Sequence, residues 1–154
     1  VNIALLVLIA AGTTTAGRMP SPVKPDPFAR TLGWHDLAIA TQAELAKARD
    51  AGRPFAAVLS DDRSMTAELL YYMRGESTPV LAWRKGAPHD HFELTRPFTA
   101  ATTGPVLLVR EGPDAGSTAA AFSSADKIAD LDLPAGDNAR RRVTFYALSG
   151  YKAQ

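Results

Sequence analysis

Two adjacent carboxylates, Asp61 and Asp62, follow a short apolar run from Phe55 to Ser60. At the end of a strand, such a pair can bind a divalent cation or supply a nucleophile and an acid. A local role competes, because Asp at the start of a helix accepts the free amide hydrogens of the first turn. Neighbours at a helix start also point in different directions. The spacing therefore favours one of the two as a cap, with Arg63 placed to neutralise the other. A second constellation is His89-Asp90-His91 with Glu93. On a strand the two imidazoles would share a face, as a metal requires. They stand at a loop boundary, however, and the remaining histidine, His35, is far away in sequence, which favours a surface pair without metal. The chain has no Gly-x-Ser-x-Gly elbow and no glycine-rich phosphate loop. Cysteine is absent, which removes disulfides, thiol nucleophiles and thiolate metal sites.

The elements that must position these residues are legible as periodic segments. Phe55 to Ser60 reads as a buried strand, and Met65, Leu69, Tyr72 and Met73 form one apolar stripe of a helix that stops at Gly75. Before them, Trp34, Leu37, Ala38, Thr41, Leu45 and Ala48 are spaced for one face of a helix ending near Asp50-Ala51-Gly52, with Phe28 and Trp34 as core anchors. After them, Val80 to Trp83 and Val106 to Val109 are two further apolar strands, and Arg84 to Asp90 is a polar loop. Continuous apolar strands separated by helical segments imply parallel pairing with both faces covered. Ser117 to Ile128 is weakly patterned and Leu133 to Asn138 is a loop. Arg142 to Leu148 alternates as a terminal strand, expected to be antiparallel at a sheet edge. The expected fold class is α/β, a small three-layer domain with a mostly parallel central sheet and one antiparallel edge strand. Parallel strands would bring Asp61, Asp62, Trp83, His89, His91 and Arg110 out at one edge of the sheet, where ligands of open α/β sheets usually bind. These six are the ligand-facing candidates.

The composition is that of a globular domain: 154 residues, 46% apolar, 21% charged, net charge +1. Such a balance gives no footprint for nucleic acid. The one basic run, Arg140-Arg141-Arg142, fits the start of a solvated strand better than a phosphate site. The amino terminus, Val1 to Ala11, is a nearly unbroken apolar run about half as long as the roughly 20 residues that span a bilayer. Three roles compete for it: a first buried strand, a secretory apolar segment that lacks its basic flank, and the trailing half of a membrane helix. The third is favoured, with residues 1–17 as the end of a transmembrane helix. Residues 18–27 carry Pro20, Pro22, Pro25 and Pro27 and read as an extended linker. Residues 28–154 form the soluble domain.

Several blocks resemble, in order, the carboxyl-terminal soluble domain of bacterial family 39 glycosyltransferases. These membrane proteins are related to protein mannosyltransferases and to the lipid A aminoarabinose transferase. The blocks are Asp26-Pro27-Phe28 with Arg30, Leu32-Gly33-Trp34, Ser60-Asp61-Asp62-Arg63, Ala67-Glu68-Leu69 and Tyr71-Tyr72-Met73. They continue with Pro79-Val80 to Trp83, His91-Phe92-Glu93-Leu94, Gly104 to Val109 and Tyr146 to Tyr151. The resemblance spans about Asn2 to Lys152. It implies an accessory domain on the periplasmic side of the bacterial inner membrane, above a transferase that takes sugar from a polyprenyl-phosphate carrier. Its partners would be the membrane part of the same polypeptide and a lipid-carrier headgroup or acceptor glycan. In that family catalysis belongs to loops of the membrane part, so no catalytic residue, metal or cofactor is expected here. Two other functions stay open. One is a free-standing metal-dependent hydrolase using Asp61, Asp62, His89 and His91, and the other a sugar-binding module using Trp83, Tyr71 and Phe92.

Overall fold

The computed structural model describes residues 2–16, 28–136 and 139–153. The proline-rich linker lies outside them. Residues Asn2–Thr15 form helix α1 (14 residues), with no buried side chain. After a single 3-10 turn at Ala29–Thr31 come α2 (Trp34–Asp50), β1 (Ala57–Ser60), α3 (Arg63–Tyr72) and β2 (Val80–Ala82). These are followed by α4 (His91–Thr95), β3 (Val106–Glu111), α5 (Gly116–Ala119), β4 (Phe122–Pro134) and β5 (Arg140–Tyr151).

Among the described residues the strands make one five-stranded mixed sheet in the order β2-β1-β3-β5-β4. The β1 strand is parallel to both β2 and β3. Both β3 and β4 run antiparallel to β5. The α/β class, the parallel core strands and the antiparallel edge agree with expectation. Two details differ. The terminal strand is not the edge: it lies between β3 and β4. The weakly patterned stretch after Ser117 is a four-residue helix followed by a 13-residue edge strand.

Alternation along the buried strands divides the core in two. Val58, Leu107, Val109, Val143 and Phe145 face one side, and Trp34, Leu37, Leu45, Met65, Leu69 and Met73 of the helical segments cover them. Ala57, Leu59, Val106, Leu108, Tyr146 and Leu148 face the other, against Phe98 and Phe122. Each fully buried Leu or Phe contributes about 2 kcal/mol, so both faces matter to stability. Two covered faces explain why the parallel strands read as unbroken apolar runs. The α2 helix buries Trp34, Leu37, Ala38, Thr41 and Leu45, the stripe expected of it. Asp36 in its first turn and Lys47 and Arg49 in its last complement the helix dipole.

The two sheet edges are finished differently. At β2, the segment Arg96 to Phe98 crosses the open side: Ala82 N donates to Arg96 O (2.9 Å) and Phe98 N to Ala82 O (2.9 Å). At β4 the ladder slips between Lys127 and Ala129, leaving Ile128 as an extra residue. Asp126, Asp130 and Asp132 stand exposed along that strand.

Candidate functional site

The turn after β1 separates the two carboxylates. Asp62 is extended (φ −118°, ψ 130°) and its Oδ1 accepts from Met65 N at 2.7 Å, the N-cap of α3. Thr66 Oγ1 donates to Asp62 O (2.8 Å), and Ser60 Oγ lies 3.2 Å from both Asp62 N and Asp62 O, tightening the turn. Asp61 points the other way. Its Oδ2 accepts from Arg110 Nη1 at 2.6 Å and from Thr118 Oγ1 at 3.0 Å. The Asp61 and Arg110 side chains are 19% and 27% exposed, and Thr118 is fully buried. The expectation of one capping Asp holds, whereas the cation beside the other is Arg110 at the end of β3, not Arg63.

The loop between β3 and α5 is fixed so that Thr118 can reach Asp61. Thr144 Oγ1 donates to Gly112 O (2.7 Å) and Tyr146 Oη to Pro113 O (3.0 Å). Asp114 Oδ1 accepts from Gly116 N (2.8 Å). Gly116 has φ +56°, and a Cβ there would lie 1.8 Å from Arg110 Nη1. The backbone at 116 therefore occupies space that only glycine leaves to the guanidinium.

His89 and His91 do not form a strand pair. Asp90 Oδ1 accepts from Phe92 N (2.7 Å) and Glu93 N (3.0 Å), so Asp90 caps α4 and His91 becomes its first residue. Glu93 Oε2 accepts from His89 N (2.7 Å). Both imidazoles are exposed. No hydrogen bond or ion pair among the described residues joins them to Asp61, Asp62 or Arg110. Local capping has taken the carboxylates that a metal would need, and no group of three or more His, Asp or Glu among the described residues is placed to hold an ion.

Trp83 leaves β2 beside this turn, its N–H donating to Ser60 O at 2.7 Å. Its ring packs against Phe98, Phe122 and Tyr151, with centroids 5.9 to 6.1 Å away. Together with Phe98 and Tyr151 it walls a cavity of about 350 Å³, whose rim carries Arg84, Lys85 and Lys152 and the hydroxyl residues Thr99 and Ser117. Among the described residues no carboxylate lines it. Of the candidates named from sequence, Asp61, Arg110 and Trp83 thus gather at the carboxyl ends of the parallel strands. Sequence reasoning missed Thr118, Gly116, Phe98, Tyr151 and Lys152. The available signal was Arg84-Lys85-Gly86 directly after an apolar strand. A larger, mostly apolar groove of about 480 Å³, with Phe55, Pro105 and Ile128 in its lining, lies at the opposite ends of β1 and β3.

No protein family, curated protein or solved structure matches this chain.

Proposed function

We propose that the chain is an accessory, extracytoplasmic domain of a bacterial membrane-bound glycosyltransferase of family 39, itself non-catalytic. The sequence blocks suggest the family, and α1 supports the membrane part of the reading. Ile3, Leu5, Leu6, Val7, Leu8 and Ile9 are 50 to 78% exposed, and the helix bears no charged residue and no polar face. A helix apolar all round calls for a fully apolar environment. Fourteen residues rise about 21 Å, short of the ~30 Å hydrocarbon thickness, and no helix among the described residues is long and apolar enough to cross a membrane. In this reading α1 is the last part of a span, the domain stands on the periplasmic side of the inner membrane, and α2 and α3, the sheet, and α5 with its loops make three layers.

Two further observations bear on this reading. Asp62 is engaged as a cap and Asp61 is held by Arg110 and Thr118, so both carboxylates have structural partners. The ring of Phe28 lies against Gly12, where a Cβ would stand 2.8 Å from it, so the start of the domain abuts the end of α1. The domain would then help shape the site for a polyprenyl-phosphate headgroup or acceptor glycan bound by the membrane part of the same polypeptide. Deleting residues 28–154 from the chromosomal gene is expected to lower sugar transfer from a polyprenyl-phosphate donor in isolated membranes at least tenfold. Unchanged transfer overturns the proposal.

A further inference from the structure

We infer that the cavity bounded by Trp83, Phe98 and Tyr151 is a binding site for a phosphorylated ring compound, of the class of a sugar phosphate or a cyclitol phosphate headgroup. The inference stands on the cavity's own residues and holds whether or not α1 enters a membrane.

Charge gives the first half of the argument. Arg84, Lys85 and Lys152 surround one cavity, and the side chains of all three lack an ion pair or hydrogen bond within the described chain. Arg110 and Arg49, by contrast, are each held by a carboxylate, Asp61 and Glu76. Three cations lining one cavity, with no carboxylate among its described lining residues, present positive charge to an anion. Guanidinium and ammonium groups together suit a phosphate, the first through its planar fork and the second as a compact point charge.

Shape gives the second half. Trp83, Phe98 and Tyr151 line the cavity, and their apolar surface matches the faces of a ring. A volume of about 350 Å³ lies within the range of small-ligand sites. Trp83 is hydrogen-bonded to the end of β1, which places the cavity beyond the carboxyl ends of parallel strands, the usual ligand position in such sheets.

Titration calorimetry with the full chain tests this, using glucose 1-phosphate, inorganic phosphate and methyl α-glucoside, together with phosphatidylcholine vesicles with and without phosphatidylinositol. Glucose 1-phosphate is expected to bind at least tenfold more tightly than either fragment, or phosphatidylinositol vesicles to retain the chain at least tenfold better than phosphatidylcholine alone. The first outcome assigns the site to soluble sugar phosphates and the second to a lipid headgroup. In the double variant Arg84→Gln, Lys152→Gln, both preferences are expected to vanish while the melting temperature stays the same. The absence of both preferences, or a preference that persists in the double variant, overturns the inference.

Discussion

Arg110 Nη1 approaches Asp61 Oδ2 to 2.6 Å, and the two residues, 49 positions apart, tie the exit of β3 to the exit of β1. Both side chains are about three-quarters or more buried, so the pair is worth more than a surface salt bridge. A double-mutant cycle with Asp61→Asn and Arg110→Gln is expected to give a coupling energy of about 1–2 kcal/mol. Denaturant melts of the four proteins measure it, and a coupling near zero would mean that Thr118 alone holds Asp61.

Gly116→Ala should act through the same pair. The new methyl meets the Arg110 guanidinium, and alanine at φ +56° carries about 1–2 kcal/mol of backbone strain. Displacing Arg110 adds the lost coupling, so the total cost is expected at about 2–4 kcal/mol. In an Arg110→Gln background the cost should fall to the strain alone. An equal cost in both backgrounds would show that the guanidinium moves aside freely.

Glu76 gives the domain a pH dependence. Its carboxylate accepts from Arg49 Nη1 at 2.7 Å and from Ser77 N at 2.9 Å, and the Arg49 hydrogen bond holds its pKa down at about 2. A depressed folded-state pKa adds stability above the ordinary glutamate value. That stability is lost as pH falls from about 4.5 towards 2. Glu76→Gln is therefore expected to melt earlier than the parent at pH 7, by about 1–2 kcal/mol after screening of the half-exposed Arg49. The difference should close by pH 2. Thermal melts across that range check it.

Arg141 lies over the Trp34 ring at 3.5 Å from its centroid and pairs with Glu111. Its side chain is 9% exposed, and its Nε has no hydrogen-bond partner. Its Nη2 donates to Leu32 O (3.4 Å), and the ring contact adds to these bonds. Trp34 Nε1 donates separately to Arg30 O (2.9 Å). Arg141→Lys keeps the charge and loses the planar stack, with an expected cost of about 1–2 kcal/mol and a shift in tryptophan emission. Unchanged emission would place the guanidinium off the ring in solution.

For α1, Leu6→Lys with Leu8→Lys is expected to lower vesicle retention of the chain at least tenfold without moving its melting temperature, since both residues are exposed. Flotation and calorimetry separate the two effects. A lowered melting temperature would mean that α1 packs on the domain.

Much of the architecture was legible in the residues themselves. The α2 stripe and the apolar runs at 57–60, 80–82 and 106–109 could be read because both faces of those strands are covered, leaving no polar alternation to confuse with loop. The β4 strand escaped for the opposite reason. It pairs on one side only, its outward positions carry Asp126, Asp130 and Asp132, and the extra residue at Ile128 breaks the period of two. The site was legible to the extent that strand ends gather chemistry. Asp61, Arg110 and Trp83 follow apolar runs, whereas Thr118 and Tyr151 reach the site through the loop after β3 and the end of β5, which only the fold brings near. His89 and His91 are exposed, and Asp90, by capping α4, makes His91 the first residue of a helix and not part of a strand.

The long outer edge of β4 has a consequence for how the chain behaves at high concentration. Thirteen residues with one paired side would offer another strand a template for growth into fibres. Asp126, Asp130 and Asp132 keep charge on this edge, the last two in pairs with Lys127 and Arg140, and the slip at Ile128 spoils the register a second copy would have to match. Neutralising Asp126, Asp130 and Asp132 together should therefore raise the tendency of the chain to aggregate.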